Sequence, residues 1–252
     1  MVRPNMTNIN TVNDPKVADL LKAGAHFGFV KSRRHPSAKP FIFGIKNKIE
    51  IFDLEKVKDE LEKAKKFIED KASEGALILF VGGKSEARAA VKHAGDTLSM
   101  PYVDGRWIGG SLTNFPEIRK RVTKMEDLML QKEKGELGKY TKKERLLIDR
   151  EIDKLNMYFH GLVLMKAVPK VLVVVDPKKE HIAVTEAKRM KIPVVALAGS
   201  DCDLHSVDIA IPANDASVAS IGYILSEIEA AYKLGVTKQK VDIQAPASVE
   251  AK

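Results

Sequence analysis

The sequence has one cysteine, one tryptophan and no long uninterrupted apolar run. The single cysteine, Cys202, excludes an internal disulfide and fits a reducing cytoplasm. No stretch approaches the roughly 18 consecutive apolar residues of a membrane span, and no apolar run of signal-peptide length follows Met1. We therefore expect a soluble, cytoplasmic chain with no membrane contact.

Motifs of catalysis are also missing. Gly82-Gly83-Lys84-Ser85 follows an apolar run, but a phosphate-binding loop needs a glycine five residues before Gly83, and Ile78 stands there. Cys202 has only His205 nearby and no nucleophile elbow, and the six histidines lack the paired spacing of a catalytic zinc site. We predict that the chain is not an enzyme. The alternative is a nucleotide- or sugar-phosphate-using α/β enzyme.

Basic residues outnumber acidic ones, with 42 Lys and Arg against 34 Asp and Glu, which gives a net charge of +8. A polyanionic partner is one explanation. A basic soluble protein without such a partner is the other, and charge alone does not decide between them.

Apolar runs at residues 76–81 and 170–177 are typical of strands buried on both faces of a parallel sheet. Shorter strands are predicted at 101–103, 192–197 and 208–212, and helices at 14–24, 53–73, 85–98, 180–190 and 217–234. Residues 41–44 and 49–52 fit a β-hairpin, and residues 25–40 fit a surface loop anchored by Phe27 and Phe29. This alternation predicts an α/β domain whose parallel sheet is covered by helices on both faces.

An insertion interrupts the pattern after the segment Asp104–Phe115, which contains Trp107. Apolar residues then recur at the 4, 3, 4 spacing of a coiled-coil seam in two stretches, which are Ile118, Val122, Met125 and Met129, and Ile148, Ile152, Leu155 and Phe159. A turn at 135–140 separates them, and Thr141 with Glu144 has the spacing of a capping box. The pattern predicts an antiparallel helical hairpin.

The predicted organisation has four parts. The globular α/β domain comprises residues 14–111 and 160–235, and the coiled-coil hairpin is inserted at 112–159. Residues 1–13 form an N-terminal arm, and residues 236–252 form a disordered tail.

Basic side chains beside aromatic ones are the strongest functional signal, because Arg and Lys contact phosphates and aromatic rings stack on unpaired RNA bases. The candidate RNA-binding residues are Arg33, Arg34, His35, Lys39, Arg106, Trp107, Arg119, Lys120, Arg121, Lys124, Lys142 and Lys143. Two alternatives stay open. The hairpin cations can be the solvated exterior of a coiled coil, and Trp107 and Phe115 can be core residues at the hairpin root.

A loop rich in titratable side chains follows the strand at 192–197. It contains Asp201, Cys202, Asp203, His205 and Asp208, and Asp215 follows soon after. Carboxylate, thiolate and imidazole groups can converge on a cation. A solvated acidic loop is the alternative.

Five strings in order closely resemble the bacterial ribosomal protein S2 family over about residues 17–234. They are Leu20–Gly28, Lys39–Gly44, Arg106–Phe115, Asp176–Pro177 with Glu180–Val184, and Ile211–Ala216. The resemblance implies a flavodoxin-like (Rossmann-like) parallel sheet flanked by helices, a protruding coiled-coil hairpin and no catalytic activity.

The same resemblance implies a ribosome-bound structural constituent of the small subunit that binds ribosomal RNA, bridges head and body and supports translation. Its partners would be this RNA, neighbouring small-subunit proteins and, in some members, ribosomal protein S1, with one copy per subunit and no homo-oligomer. The resemblance implies a partner face containing Asp203, His205, Asp208 and Asp215. No cofactor is required, but zinc is reported at that contact in the family, and the candidate ligands here are Asp203, His205 and Asp215.

The sequence departs from the family pattern at three places. Phe29 stands where the family usually has a second histidine, and Arg34–Ala38 replaces a Trp-Asn-Pro-Lys-Met-like run. Gly199-Ser200-Asp201 stands where the family more often has Asp-Thr-Asn. The first two departures concern RNA contacts, and the third concerns the metal and the docking of ribosomal protein S1.

Overall fold

The computed structural model describes residues 14–244, and side chains up to residue 239. The predicted arm at 1–13 and the end of the predicted tail, 245–252, lie outside the described residues.

The strands are β1 Phe27–Val30, β2 Ile42–Lys46, β3 Ile49–Phe52, β4 Ile78–Val81, β5 Tyr102–Val103, β6 Val171–Val175, β7 Val194–Ala198 and β8 Ile209–Pro212. The helices are α1 Pro15–Lys22, α2 Leu54–Ser73, α3 Ser85–Leu98, α4 Phe115–Glu133, α5 Lys142–Phe159, α6 His181–Arg189 and α7 Val218–Gln244. Within residues 14–244, no helix combines the length and the apolar character needed to cross a bilayer.

Five parallel strands form the central sheet in the order β5-β4-β6-β7-β8. Counted in chain order within this sheet, the order is 2-1-3-4-5, which is the flavodoxin-like arrangement. Every residue of β4, β6 and β7 is buried, because alternate side chains enter two separate cores. One core lies against α2, α3 and α7, and the other lies against α6 and the base of α4 and α5. The predicted fold class is confirmed.

A second, antiparallel sheet has the order β1-β3-β2. The predicted β-hairpin is confirmed as β2 and β3, and its turn residues Asn47 and Lys48 have positive φ, as a tight hairpin turn requires. The prediction of a loop at residues 25–40 is wrong, since these residues form β1 and two short 3-10 turns, Lys31–Arg33 and Pro36–Phe41. Glycine and proline made the segment look irregular. Pairing of β1 with β3 instead makes four of its residues a strand.

Helices α4 and α5 are in contact along the predicted insertion. Thr141 accepts a hydrogen bond from the backbone of Glu144, whose carboxylate accepts one from the backbone of Thr141, so the capping box is confirmed. Lys124 pairs with Glu151 at 2.5 Å across the two helices. The residues of the apolar seam are buried near the base, whereas Met129, towards the turn, is 38% exposed. That the pair forms a coiled coil stays a prediction.

The last helix is longer than predicted. It was expected to end at Leu234, with residues from 236 in a disordered tail, but α7 continues to Gln244. Gly235 directly follows the predicted end of this helix. In the structure it is a close-packing position, because a Cβ on Gly235 would lie 2.3 Å from the carbonyl oxygen of Glu69 and 2.6 Å from the Cβ of Ala72 in α2.

Gly235→Ala is therefore expected to push α7 away from α2. The predicted loss is about 1–3 kcal/mol in the free energy of unfolding, which is typical of an overpacked core. Gly222→Ala is the matched control in the same helix, since its Cβ would meet nothing within 4 Å. The control is expected to gain up to about 1 kcal/mol from helix propensity. Urea unfolding followed by circular dichroism measures both, and equal effects of the two changes would contradict the packing role.

Candidate nucleic-acid interface and the sheet crevice

The root of the α4–α5 pair is held by one carboxylate. Glu186 of α6 is only 5% exposed, and its two oxygens accept five hydrogen bonds from the segment that leads into α4. The donors and distances are Trp107 Nε1 at 3.2 Å, Gly110 N at 2.7 Å, Leu112 N at 3.0 Å, Thr113 N at 3.1 Å and Thr113 Oγ1 at 3.2 Å. This Glu186 clamp fixes the path of the chain from the sheet into the hairpin.

Two opposing effects act on the Glu186 carboxylate. Burial raises its pKa, but hydrogen bonds from the backbone of Gly110, Leu112 and Thr113 and from Trp107 outweigh burial, so the pKa lies below its ordinary value. Sequence reasoning missed this residue. The available signal was a carboxylate on the apolar face of α6, beside the buried Ala183 and Ala187.

Trp107 is 5% exposed and packs in the second core. The prediction that it faces RNA is wrong, because its ring is covered and its only polar group donates to Glu186. The alternative of a core tryptophan at the hairpin root is confirmed. Phe115 is partly buried against the same core, and Arg106 is exposed.

The predicted RNA-binding cations of the hairpin fall into two groups. Arg119, Lys120 and Lys124 are engaged with carboxylates, at 3.0 Å from Glu126, 2.6 Å from Glu117 and 2.5 Å from Glu151. Arg121, Lys142 and Lys143 are exposed and have no ion pair within the described part of the chain. The same holds for five further hairpin cations, Lys134, Lys139, Arg145, Arg150 and Lys154. Unpaired cations are the better phosphate contacts, since no internal ion pair must first be broken.

The basic stretch around β1 is mostly used internally. Arg34 pairs at 3.0 Å with Glu50, whose side chain is fully buried, and therefore supports the fold. Arg33 lies 3.3 Å from Asp201, and its guanidinium lies 4.6 Å from the centre of the Phe29 ring. The two remaining predicted residues differ from each other. His35 bonds to Ser37 at 2.8 Å, whereas Lys39 is exposed and forms no ion pair with any residue in 14–239.

Gly82–Ser85 lies where β4 ends beside β6, which is the crevice in which flavodoxin-like sheets usually bind ligands. Here protein groups fill it. The backbone N–H of Gly83 donates to Glu180 at 3.2 Å, and Lys84 Nζ lies 2.9 Å from Asp215 and 3.3 Å from Asp176. The loop therefore offers neither a free N–H at Gly83 nor a free ammonium to a phosphate.

Burial sets the charge balance of the crevice. It raises the pKa of Glu180 above its ordinary value and that of Asp215 to about 6, although Lys84 opposes the shift at Asp215. Burial also acts to lower the pKa of Lys84, but its bonds to Asp215 and Asp176 outweigh it and the net shift is upward. At neutral pH the lysine and its two carboxylates form an internal ion cluster.

The predicted zinc ligands do not converge. Asp203 and His205 are exposed, whereas Asp215 is 1% exposed and faces Lys84. Asp215 is thus covered and cannot contact a protein partner, while Asp208 is exposed and accepts a bond from the Val194 N–H at 2.8 Å. Among the described residues, the one set of three potential ligands is Asp176, Cys202 and Asp215, whose ligand atoms lie within 4.8 Å of one another.

That set does not fit a zinc ion. The Lys84 ammonium already bonds to both carboxylates, and burial raises the pKa of the Cys202 thiol, which keeps it protonated. The thiol donates to Asp176 Oδ1 at 3.6 Å instead.

Comparisons with a family model and with individual proteins find similarity to the same family. The family model for ribosomal protein S2 matches residues 20–235. A small ribosomal subunit protein uS2 from Coprothermobacter proteolyticus is 44% identical over 209 residues, covering 83% of this chain and 78% of the relative. The uS2 protein of Sulfurimonas denitrificans is 42% identical, covering 86% and 84%, and that of Thermus thermophilus is 44% identical, covering 83% and 82%.

Glu186→Gln tests the clamp. An amide nitrogen would face backbone N–H donors, so we expect a loss of about 2–3 kcal/mol in the free energy of unfolding at pH 7. A carboxylate whose pKa is lowered on folding stabilises the protein above its unfolded pKa, and this contribution is lost as pH falls through the folded pKa. The difference between wild type and variant should therefore shrink below about pH 4. Urea unfolding at several pH values measures it.

Glu229→Gln is the matched control, because Glu229 is 6% exposed and bonds to His93 alone among the described residues. Hydrogen exchange separates the two variants. The amides of Gly110, Leu112 and Thr113 should exchange faster in Glu186→Gln and at the wild-type rate in Glu229→Gln. Unchanged exchange at these amides in Glu186→Gln would contradict the clamp.

Proposed function

Because the chain belongs to the ribosomal protein S2 family of small-subunit proteins, we propose that it binds small-subunit ribosomal RNA and bridges the head and body of the subunit. The names of its relatives are those of ribosomal proteins and not of enzymes. One observation carries the proposal. The hairpin presents a set of exposed cations that form no ion pair within the described residues, on a pair of helices anchored at the base by the Glu186 clamp.

Unpaired cations identify the proposed RNA contacts. From the predicted set they are Lys39, Arg106, Arg121, Lys142 and Lys143. Arg119, Lys120, Lys124 and Arg33 form ion pairs in the free protein, so any contact they make to phosphate replaces an existing interaction. We assign them a secondary role in binding.

Reach supports the bridging role. Helix α4 has 19 residues and α5 has 18, so each extends about 27–29 Å at 1.5 Å per residue. We propose that residues 14–111 and 160–235 act as the globular unit and residues 112–159 as the extending unit. In this arrangement the globular unit contacts one part of the subunit and the hairpin another, with one chain per subunit and no cofactor required.

The enzyme alternative has no support in the crevice. Its Gly83 N–H and its Lys84 ammonium are both bonded to protein carboxylates. A fold of this class does not by itself imply an activity.

The small antiparallel sheet supports a protein partner. Its apolar side chains are unusually exposed, with Phe43 at 68%, Phe27 and Ile45 at 45%, and Val30 and Ile49 at 38%. The sheet adjoins the loop that carries the predicted partner residues Asp203, His205 and Asp208, because the Phe29 N–H donates to Ser200 Oγ at 2.8 Å. We propose that the face of this sheet that carries Phe43 and Ile45, with the exposed Asp203, His205 and Asp208 of the adjoining loop, docks ribosomal protein S1 or a neighbouring small-subunit protein.

The RNA contacts predict a salt dependence. Lys142→Ala with Lys143→Ala removes two unpaired cations at the start of α5. If each contacts one phosphate, the slope of log affinity against log salt falls in magnitude by about 2. Filter binding of the full chain to small-subunit RNA, between about 50 and 200 mM KCl, measures this slope.

Lys22→Ala with Lys63→Ala is the matched control. Both lysines are exposed, lie on the globular domain and pair with a carboxylate three residues away, Asp19 and Glu60. The control should keep the wild-type slope. Equal slopes for the hairpin variant and wild type would remove the hairpin from the RNA interface.

Phe43→Ser tests the protein-docking face. Phe43 is 68% exposed, so the fold should tolerate the change. Loss of a central aromatic anchor typically costs about 2 kcal/mol of binding, or roughly 30-fold in Kd. Titration of ribosomal protein S1 against the full chain measures this, with Val218→Ser, at a 58% exposed position elsewhere, as the control. An unchanged Kd for Phe43→Ser would exclude S1 docking on this face.

A further inference from the structure

The ion cluster at the end of β4 resembles a metal site in which the positive charge is supplied by a lysine side chain, Lys84, bonded to two carboxylates. Lys84 lies at the start of α3, Asp176 follows β6 and Asp215 follows β8. The ammonium lies between the two carboxylates, and all three side chains are largely covered, at 16%, 13% and 2% exposure. Three loops at the carboxyl edge of the sheet are therefore joined through one positive charge.

The geometry around Asp176 shows that the cluster is structurally constrained. Asp176 has a backbone φ of +64°, which is in the left-handed region that residues other than glycine rarely adopt. Its Oδ1 accepts a bond from the Lys179 N–H at 3.1 Å and its Oδ2 bonds to Lys84. The strained backbone directs the carboxylate into the crevice.

Another side of Asp215 is covered by Gly199 and Phe29. Gly199 lies against it, and a Cβ at that position would be 2.6 Å from Asp215 Oδ1 and 3.0 Å from the Phe29 ring. The ring itself lies 5.9 Å from Lys84 Nζ, within the range of a cation–π contact. An aromatic face and a glycine suit an ammonium group better than a divalent metal ion.

We propose that Lys84 is the resident cation of the crevice and excludes a divalent metal ion, so that the loops carrying Asp176, Cys202 and Asp215 fold without metal. The three potential ligand atoms lie within 4.8 Å of one another, and the ammonium already bonds to the carboxylates of Asp176 and Asp215, which are two of the three ligands. Removal of the ammonium leaves the buried Asp215 and Cys202 and the partly buried Asp176 with no positive charge bonded to the two carboxylates. Such a set favours a thiophilic divalent cation.

The test compares metal binding by the full wild-type chain with binding by Lys84→Met. Wild type should take up no stoichiometric zinc, and its Tm should be the same in zinc and in EDTA. Lys84→Met should bind one zinc ion per chain, and zinc at about 100 times its Kd should raise its Tm by about 5–10 °C. With cobalt, Lys84→Met should show a thiolate charge-transfer band that Lys84→Met with Cys202→Ser lacks.

Lys65→Met is the matched control. Lys65 is also a largely covered lysine, paired with Glu227 at 2.6 Å, but no cysteine or histidine ligand set accompanies it among the described residues. Lys65→Met should bind no zinc, and Lys84→Arg should behave as wild type because it keeps the positive charge. Stoichiometric zinc on wild type that is lost in Asp215→Asn would overturn the proposal. So would a Lys84→Met chain that binds no zinc, or one that stays unfolded with zinc present.

Discussion

The direction in which the hairpin leaves the globular domain depends on the hydrogen bonds that the Glu186 carboxylate accepts. The hairpin leaves the sheet through the segment Asp104–Phe115, whose Trp107 and Leu112 are buried in the second core. Five hydrogen bonds to one buried carboxylate tie this segment to α6. Because Glu186 belongs to α6, which packs on the sheet, the direction of α4 is set by the globular domain. The proposed bridging role depends on this property, because a hairpin of variable direction would not hold its cations at a fixed position relative to the globular domain.

Several charged side chains of this protein support the fold. Arg34, Lys84 and Lys65 pair with largely covered carboxylates, and they hold the small sheet, the crevice and the α2–α7 contact respectively. Cations that form no ion pair within residues 14–239 lie on the hairpin, among them Arg121, Lys142 and Lys143, and also on the globular domain, among them Lys39, Lys66 and Lys188. The net charge of +8 therefore does not show which cations are free to contact a partner. The crevice where this fold usually binds ligands is likewise filled by ion pairs and hydrogen bonds between protein groups.

Local signals in the sequence were sufficient for most of the fold. Continuous apolar runs predicted β4 and β6, and hydroxyl-to-carboxylate spacing predicted the capping box at Thr141. Errors arose where a distant contact decides the outcome. Pairing with β3 makes a strand of residues 27–30, and packing on Glu69 and Ala72 carries α7 past Gly235. Glu186 was missed because its partners lie more than 70 residues away in the chain. Likewise, the sequence could not separate the paired from the unpaired candidate cations, because exposure and ion pairing depend on the folded structure.

A density map of a small ribosomal subunit that contains this chain tests the central claim most directly. The claim is that the clamped hairpin places unpaired cations against RNA. The account predicts phosphate oxygens within about 4 Å of Arg121, Lys142 and Lys143, with the bonds between Glu186 and residues 107–113 intact. A map in which these three side chains face solvent, or in which the hairpin leaves the sheet along another path without those bonds, would contradict it.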